Sequence, residues 1–231
     1  MTPVPQWVRD DRFRTNQEAV LTEQLLRNQS KISELEKERV TIEENLEGAE
    51  YLKPLLYEQG HTLEQAVLAA MKLMGFEANS YRDSDSEFDV VLECDEGRCI
   101  GEVEGRDSKA IGIDKMRQLE VNILEDLDRD EVSKPAKGIL LGNAFRLEPP
   151  SDRPAEHFTT KCFSAAERNR TALIRTCELF HVAKTLADKP NEQFAASCRE
   201  AILSTEGKEV VFPTVSEIEV STTHLEKSER T

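Results

Sequence analysis

From residue 16 to about residue 49, apolar side chains recur at alternating spacings of four and three: Leu21, Leu25, Ile32, Leu35, Ile42 and Leu46. Asn28 and Arg39 fill the two remaining positions of the same seam. That is a heptad repeat, and it predicts a long helix able to supercoil. Spacing of 3.5 residues favours a coiled coil or helical hairpin arm; the alternative is a helix packed on its own domain. A coiled-coil arm would dimerise, with Asn28 and Arg39 restricting register and oligomer state at some cost in stability.

Pro54 breaks the pattern and Gly60 closes the next segment, so a boundary is expected between residues 51 and 60. Thr62 with Gln65 makes a capping box for a helix whose apolar stripe is Leu63, Ala66, Val67, Ala70, Met71 and Met74, ended by Gly75. Two β-rich runs follow, 88–92 and 99–103, and the acidic turn Asp95-Glu96-Gly97 between them predicts a hairpin. Asp114 can cap a helix that turns Met116, Leu119, Ile123 and Leu127 toward a core. Residues 138–141 and 173–174 read as short buried strands, residues 164–169, 177–187 and 191–203 as helices, and 210–212 as a further candidate strand.

The order helix, strand, strand, helix, strand, helix, strand, helix predicts an α/β fold, a mixed β-sheet flanked by helices, with an N-terminal coiled-coil helical arm. The expected division is a flexible arm at 1–15 with Trp7 as its candidate anchor, a coiled-coil helix at 16–53, the α/β domain at 54–213 and a mobile tail at 214–231.

Composition narrows the function classes. Asp and Glu number 45 against 30 Lys and Arg, a net charge of -15, which argues against a general electrostatic grip on nucleic acid and calls for a local basic patch. Five cysteines without a Cys-x-x-Cys pair favour a reducing compartment, so cytoplasm is the default. No apolar h-region and no membrane-spanning stretch is present. Gly101, Gly105 and Gly112 do not form a nucleotide-binding fingerprint, and the four histidines lack zinc-ligand spacing.

The chemistry concentrates between residues 87 and 105. Seven acids (Glu87, Asp89, Glu93, Asp95, Glu96, Glu102, Glu104) stand there against one base, Arg98. Glu93, Asp95 and Glu96 suit a solvated turn. Asp89, Glu102 and Glu104 lie inside apolar strands, where an unpaired carboxylate is costly. Strand alternation points Glu102 and Glu104 to one side, within reach of Asp89 on the neighbouring strand, and converging carboxylates hold hard divalent cations.

Helix, Met74-Gly75-Phe76 turn, strand with Asp89, strand with Glu102-Val103-Glu104-Gly105 and a helix bearing Gln118-Leu119 together resemble the restriction-endonuclease-like PD-(D/E)xK nucleases, in particular their Mrr-type branch. The resemblance covers roughly residues 56–188. It implies a restriction-endonuclease-like core, Asp89 and Glu102 as ligands of Mg²⁺ or Mn²⁺, Glu64 as an accessory acid, and Gln118 at a position used for substrate or water. Glu104 stands where the family keeps its lysine. Either Glu104 acts as general base or further metal ligand, or Lys109 of the Gly105-Arg106-Asp107-Ser108-Lys109 loop swings back to the site.

Phosphate binding needs positive charge. Residues 161–185 carry five bases against two acids, so Arg168 and Arg170, with Arg106, are the candidate phosphate contacts. The resemblance thus implies a metal-dependent nuclease acting on DNA in prokaryotic defence, with a possible protein partner in a defence complex; the seam adds a homodimer through the coiled coil, and no membrane association is expected. The rivals are a catalytically inactive nuclease-like adaptor and a metal-dependent hydrolase of small nucleotides.

Overall fold

The computed structural model describes residues 3–82, 86–129, 132 and 134–217. The chain divides into two compact units, Met1–Glu50 and Tyr51–Thr231.

In the first unit, α1 (Asn16–Ala49) begins at a reciprocal cap. Glu18 N–H donates to Thr15 Oγ1 at 3.2 Å, and Thr15 N–H donates to Glu18 Oε2 at 2.7 Å. No residue of α1 is buried, so the unit gives this helix no core to pack against. The segment before it is not featureless. It carries two 3₁₀ turns, Gln6–Arg9 and Asp11–Phe13, and the Trp7 and Phe13 rings meet edge to face with centroids 5.3 Å apart.

The second unit opens with α2 (Pro54–Tyr57), which has Pro54 at its first turn, where a missing N–H costs nothing. Next, α3 (Gly60–Leu73) corrects the expected capping box. Gly60, at φ 58°, opens this helix instead of closing the preceding one, and Gln59 is the N-cap with no side-chain bond. Thr62 therefore lies inside the first turn, where the Thr62–Gln65 box cannot form. Gly75, at φ 86°, ends the helix as the sequence predicts.

Five strands follow in sequence order: β1 (Glu77–Arg82), β2 (Glu87–Cys94), β3 (Gly97–Gly105), β4 (Lys137–Asn143) and β5 (Ala172–Arg175). β1–β2–β3 is an antiparallel meander, and β3–β4–β5 is parallel. This is the expected mixed sheet, with one addition. β1 is an edge strand that buries only Ala78, so its sequence shows no apolar alternation. The candidate strand at 210–212 is not formed; only Glu209 bridges to Leu173.

Helices cover both faces. On one, α3, α6 (Thr176–Asp188) and α7 (Glu192–Ser204) bury Leu63, Val67, Met71, Leu179 and Ile202 against Val90, Val103, Ile139 and Ile174. On the other, α4 (Asp114–Leu127) and α5 (Thr160–Asn169) close Met116, Leu119 and Cys162 over Phe88, Ile100, Leu140 and Leu173. Ile113, not Asp114, is the N-cap of α4. Thr214 and Glu217 cap one another across the start of the expected tail, and residues 218–231 of that tail lie outside the described residues.

Candidate active site

Strand alternation in β3 places Glu102 and Glu104 with Ile100 on the α4 face, while Cys99 and Val103 enter the opposite layer. The β2–β3 ladder runs as far as Val90 opposite Gly101 and stops. One residue further, a carboxylate replaces the backbone partner: Asp89 Oδ2 accepts the Val103 N–H at 3.0 Å. The departure of β2 from the ladder thus turns Asp89 inward beside Glu102.

α4 closes the site from above. Lys115 Nζ donates to Glu102 Oε2 at 2.7 Å and lies 3.6 Å from Asp89 Oδ2. Asn122 Nδ2 donates to Glu102 Oε1 at 2.6 Å and to the Glu87 carbonyl at 3.2 Å. Both Glu102 oxygens are therefore engaged, and one ammonium serves both carboxylates. Lys115 and Asn122 escaped the sequence reading, which chose Gln118; that side chain is exposed. Their signal was spacing. Residues 115, 119 and 122 lie on one helix face, so Lys115 and Asn122 are polar positions on the stripe that carries buried Leu119.

Electrostatics follow from burial. Glu102 is fully buried, and burial, then the charge of Asp89, push its carboxyl up to about 8. Burial works to lower the Lys115 pKa, but its hydrogen bond to Glu102 and the charges of Glu102, Asp89 and Glu104 give a net upward shift. Lys115 is thus held as an ammonium at neutral pH. Because the folded state binds the Glu102 proton more tightly than the unfolded chain, Glu102 stabilises the fold at low pH and loses this contribution as pH rises through about 8. Buried His157, lowered to about 4 first by burial and then by the charges of Arg175 and Arg153, acts in the opposite sense below pH 6.5. Without divalent cation, the melting temperature should therefore fall between pH 6.5 and 8, and Glu102→Gln should flatten that fall. An unchanged slope in the variant would remove Glu102 as its cause.

The other expected residues are placed as follows. Glu104 is tied to Arg106, whose Nη2 lies 2.5 Å from Glu104 Oε1. Lys109 is exposed and lines, with Gln59, Arg106 and Ser108, a cavity of about 260 Å³ beside Gly105. That cavity is walled by a close approach: a Cβ on Gly105 would stand 2.8 Å from the Glu58 carbonyl oxygen. Behind it, Asn143 donates to the Glu58 carbonyl at 2.9 Å and accepts from buried Arg153 at 2.9 Å. Arg146 binds Asp107 at 2.7 Å and the Tyr57 carbonyl at 2.6 Å. The loop after β3 is thereby fixed to the α2–α3 turn.

Glu64 pairs with His61, 3.5 Å away, and does not complete a cluster. Among the described residues, no group of three or more His, Cys, Asp or Glu is placed to share a metal ion. Arg168 and Arg170 are exposed at the end of α5, before β5 begins. Lys137, which donates to the Arg170 carbonyl at 3.2 Å, pairs in register with Cys99, whereas Glu104 pairs with Gly142 and Gly142 with Arg175. The two arginines lie at the opposite end of the parallel strands from Glu104, and the structure does not bring them to the site.

No protein-family model matches the chain, and no curated protein matches it. Solved structures do. The restriction endonuclease FokI aligns at 13% identity over 65% of this chain and 28% of its own, with a TM-score of 0.43. FokI bound to DNA aligns at 12% identity over 71% and 30%, with a TM-score of 0.47. Protein VC1899 from Vibrio cholerae aligns at 19% identity over 56% and 33%, with a TM-score of 0.34. The chain therefore spans about a third or less of each of these proteins. Among the described residues, no helix is long and apolar enough to cross a membrane.

Proposed function

We propose that this chain hydrolyses phosphodiester bonds of DNA with a divalent cation, using Asp89 and Glu102 to hold the cation and Lys115 to supply the amine that its Glu-x-Glu motif lacks. The observation that carries this reading is the position of Lys115 Nζ, in contact with Glu102 and 3.6 Å from Asp89.

The donor set fits a hard cation. Two carboxylates meet at one point, where burial first and then the charge of Asp89 raise the Glu102 pKa to about 8, and a cation placed there would offset both. With two protein carboxylates, a Mg²⁺-type ion would complete its shell with water and substrate oxygens, as such ions ordinarily do. When bound it would lower the pKa of a coordinated water and offset charge on the scissile phosphate.

Lys115 remains protonated, so its contribution is a fixed positive charge and N–H donors near the reacting phosphate, not proton abstraction. Asn122 holds Glu102 in one rotamer by taking its second oxygen. Glu104 pairs with Arg106, and this reading gives it no part in proton transfer. Arg106 and Lys109 border the neighbouring cavity and suit the flanking phosphates.

The test is cleavage of single-stranded DNA, duplex DNA, RNA and free nucleotides with Mg²⁺, Mn²⁺ or EDTA. Metal-dependent cleavage of DNA is the expected result. Absence of turnover on every substrate would reduce the protein to a nuclease-like scaffold. Turnover confined to free nucleotides would replace DNA as the substrate class.

A further inference from the structure

All six apolar seam residues of α1 are more than half exposed, from Leu21 and Ile32 at 55% to Leu35 at 63%. A long helix with no buried face draws little stability from propensity alone and needs a partner for its apolar stripe. We infer that α1 pairs with α1 of a second copy of this chain, and that the two helices run antiparallel.

The seam itself selects that direction. An antiparallel pair centred between Ser33 and Glu34 places Leu21 against Leu46, Leu25 against Ile42 and Ile32 against Leu35. It also places Asn28 against Arg39, so the two polar positions fall in the same layers and every other layer is apolar. A parallel pair instead stacks Arg39 on Arg39 of the second copy inside the seam, a like-charge contact in a partly desolvated layer.

Flanking charges agree. In the antiparallel arrangement Lys31 faces Glu38 across the seam, twice by symmetry, and no like-charged pair is created. In the parallel one Lys31 faces Glu36, but Glu38 faces Glu43, again twice. Such flanking pairs set orientation in coiled coils.

A second feature lies where the antiparallel partner would end. Val4, Val8 and Phe13 of the N-terminal segment join Leu21 and Leu25 of α1 around a groove of about 600 Å³. The antiparallel copy brings its Ile42 and Leu46 to those two leucines, so the groove receives two aliphatic side chains from the far end of the other helix. The 3₁₀ turns at Gln6–Arg9 and Asp11–Phe13 then serve as a clasp.

The experiment is sedimentation of the full chain, which reads association and not cleavage. A dimer of twice 26.2 kDa is expected. Glu38→Lys should weaken it by roughly tenfold, because two Lys31–Glu38 pairs become repulsive, and adding Lys31→Glu should restore it. In a parallel dimer Glu38→Lys would meet Glu43 and tighten association. Tightening, failure of the double variant to recover, or a monomer at concentrations up to roughly 100 µM would each overturn the inference.

Discussion

Metal-dependent cleavage by Lys115→Met protein is expected to fall by about 10²–10⁴-fold, while Lys109→Ala should stay within about threefold of the parent. The contrast follows from position. Lys115 donates to Glu102 at 2.7 Å from a helix that closes over β3, whereas Lys109 is exposed on the loop beyond it. Because the Lys115 pKa is shifted upward, its loss should act on kcat across neutral pH instead of moving a pH optimum. Asp89→Asn and Glu102→Gln should reach background, since each removes a carboxylate from the pair that would hold the cation. Melting curves guard against trivial unfolding: in Lys115→Met, buried Glu102 keeps its proton and stays neutral, so the fold should persist. Should Lys109→Ala lose activity while Lys115→Met keeps it, the amine comes from the loop and the proposed centre is wrong.

Asp126→Ala should cost about 2–4 kcal/mol of folding stability, read as a lower urea midpoint at unchanged slope. Asp126 is fully buried and accepts from three guanidinium nitrogens. Arg98 bridges both its oxygens, with Nη2 to Oδ1 at 2.8 Å, and Arg129 reaches Oδ1 at 3.2 Å. Arg129 also lies 4.1 Å from the centroid of the Tyr81 ring, which ties the α4 end to edge strand β1. Deleting the carboxylate leaves two cations facing each other over a vacated space. The cost stays below that of a wholly buried pair because the Arg98 and Arg129 side chains keep 23% and 24% of their surface in water. Arg98 also retains Glu93 at 2.8 Å. A loss under about 1 kcal/mol would mean that water replaces the carboxylate at no cost.

The legible parts of the molecule were those set by local period. Alternation in β3 was enough to place Glu102 and Glu104 on one face, and short apolar runs were enough to find β4 and β5. β1 was missed because five of its six residues escape full burial, so no pattern marks them. The expected box at Thr62 failed because a left-handed Gly60 opened α3 two residues earlier. Arg168 and Arg170 attracted attention as a cluster of charge, yet strand direction sends them to the other end of the sheet. Neither local composition nor spacing carries that information; it depends on which end of each parallel strand lies beside which.

By itself, the sequence determined the repeating features: the heptad seam of α1, the apolar stripes of the helices, and a strand pair bearing carboxylates that cannot comfortably be left unpaired. These depend on interactions within a few residues, and period alone encodes them. Only the tertiary structure decided what neutralises the carboxylates. Lys115 reaches Glu102 from 13 residues away and Asn122 from 20, across a sheet-to-helix contact fixed by the packing of Met116 and Leu119. Glu104 is engaged by Arg106, and the ammonium beside Glu102 enters from the neighbouring layer. Charge compensation acts through space at about 3 Å, whereas sequence spacing reports distance only along one element.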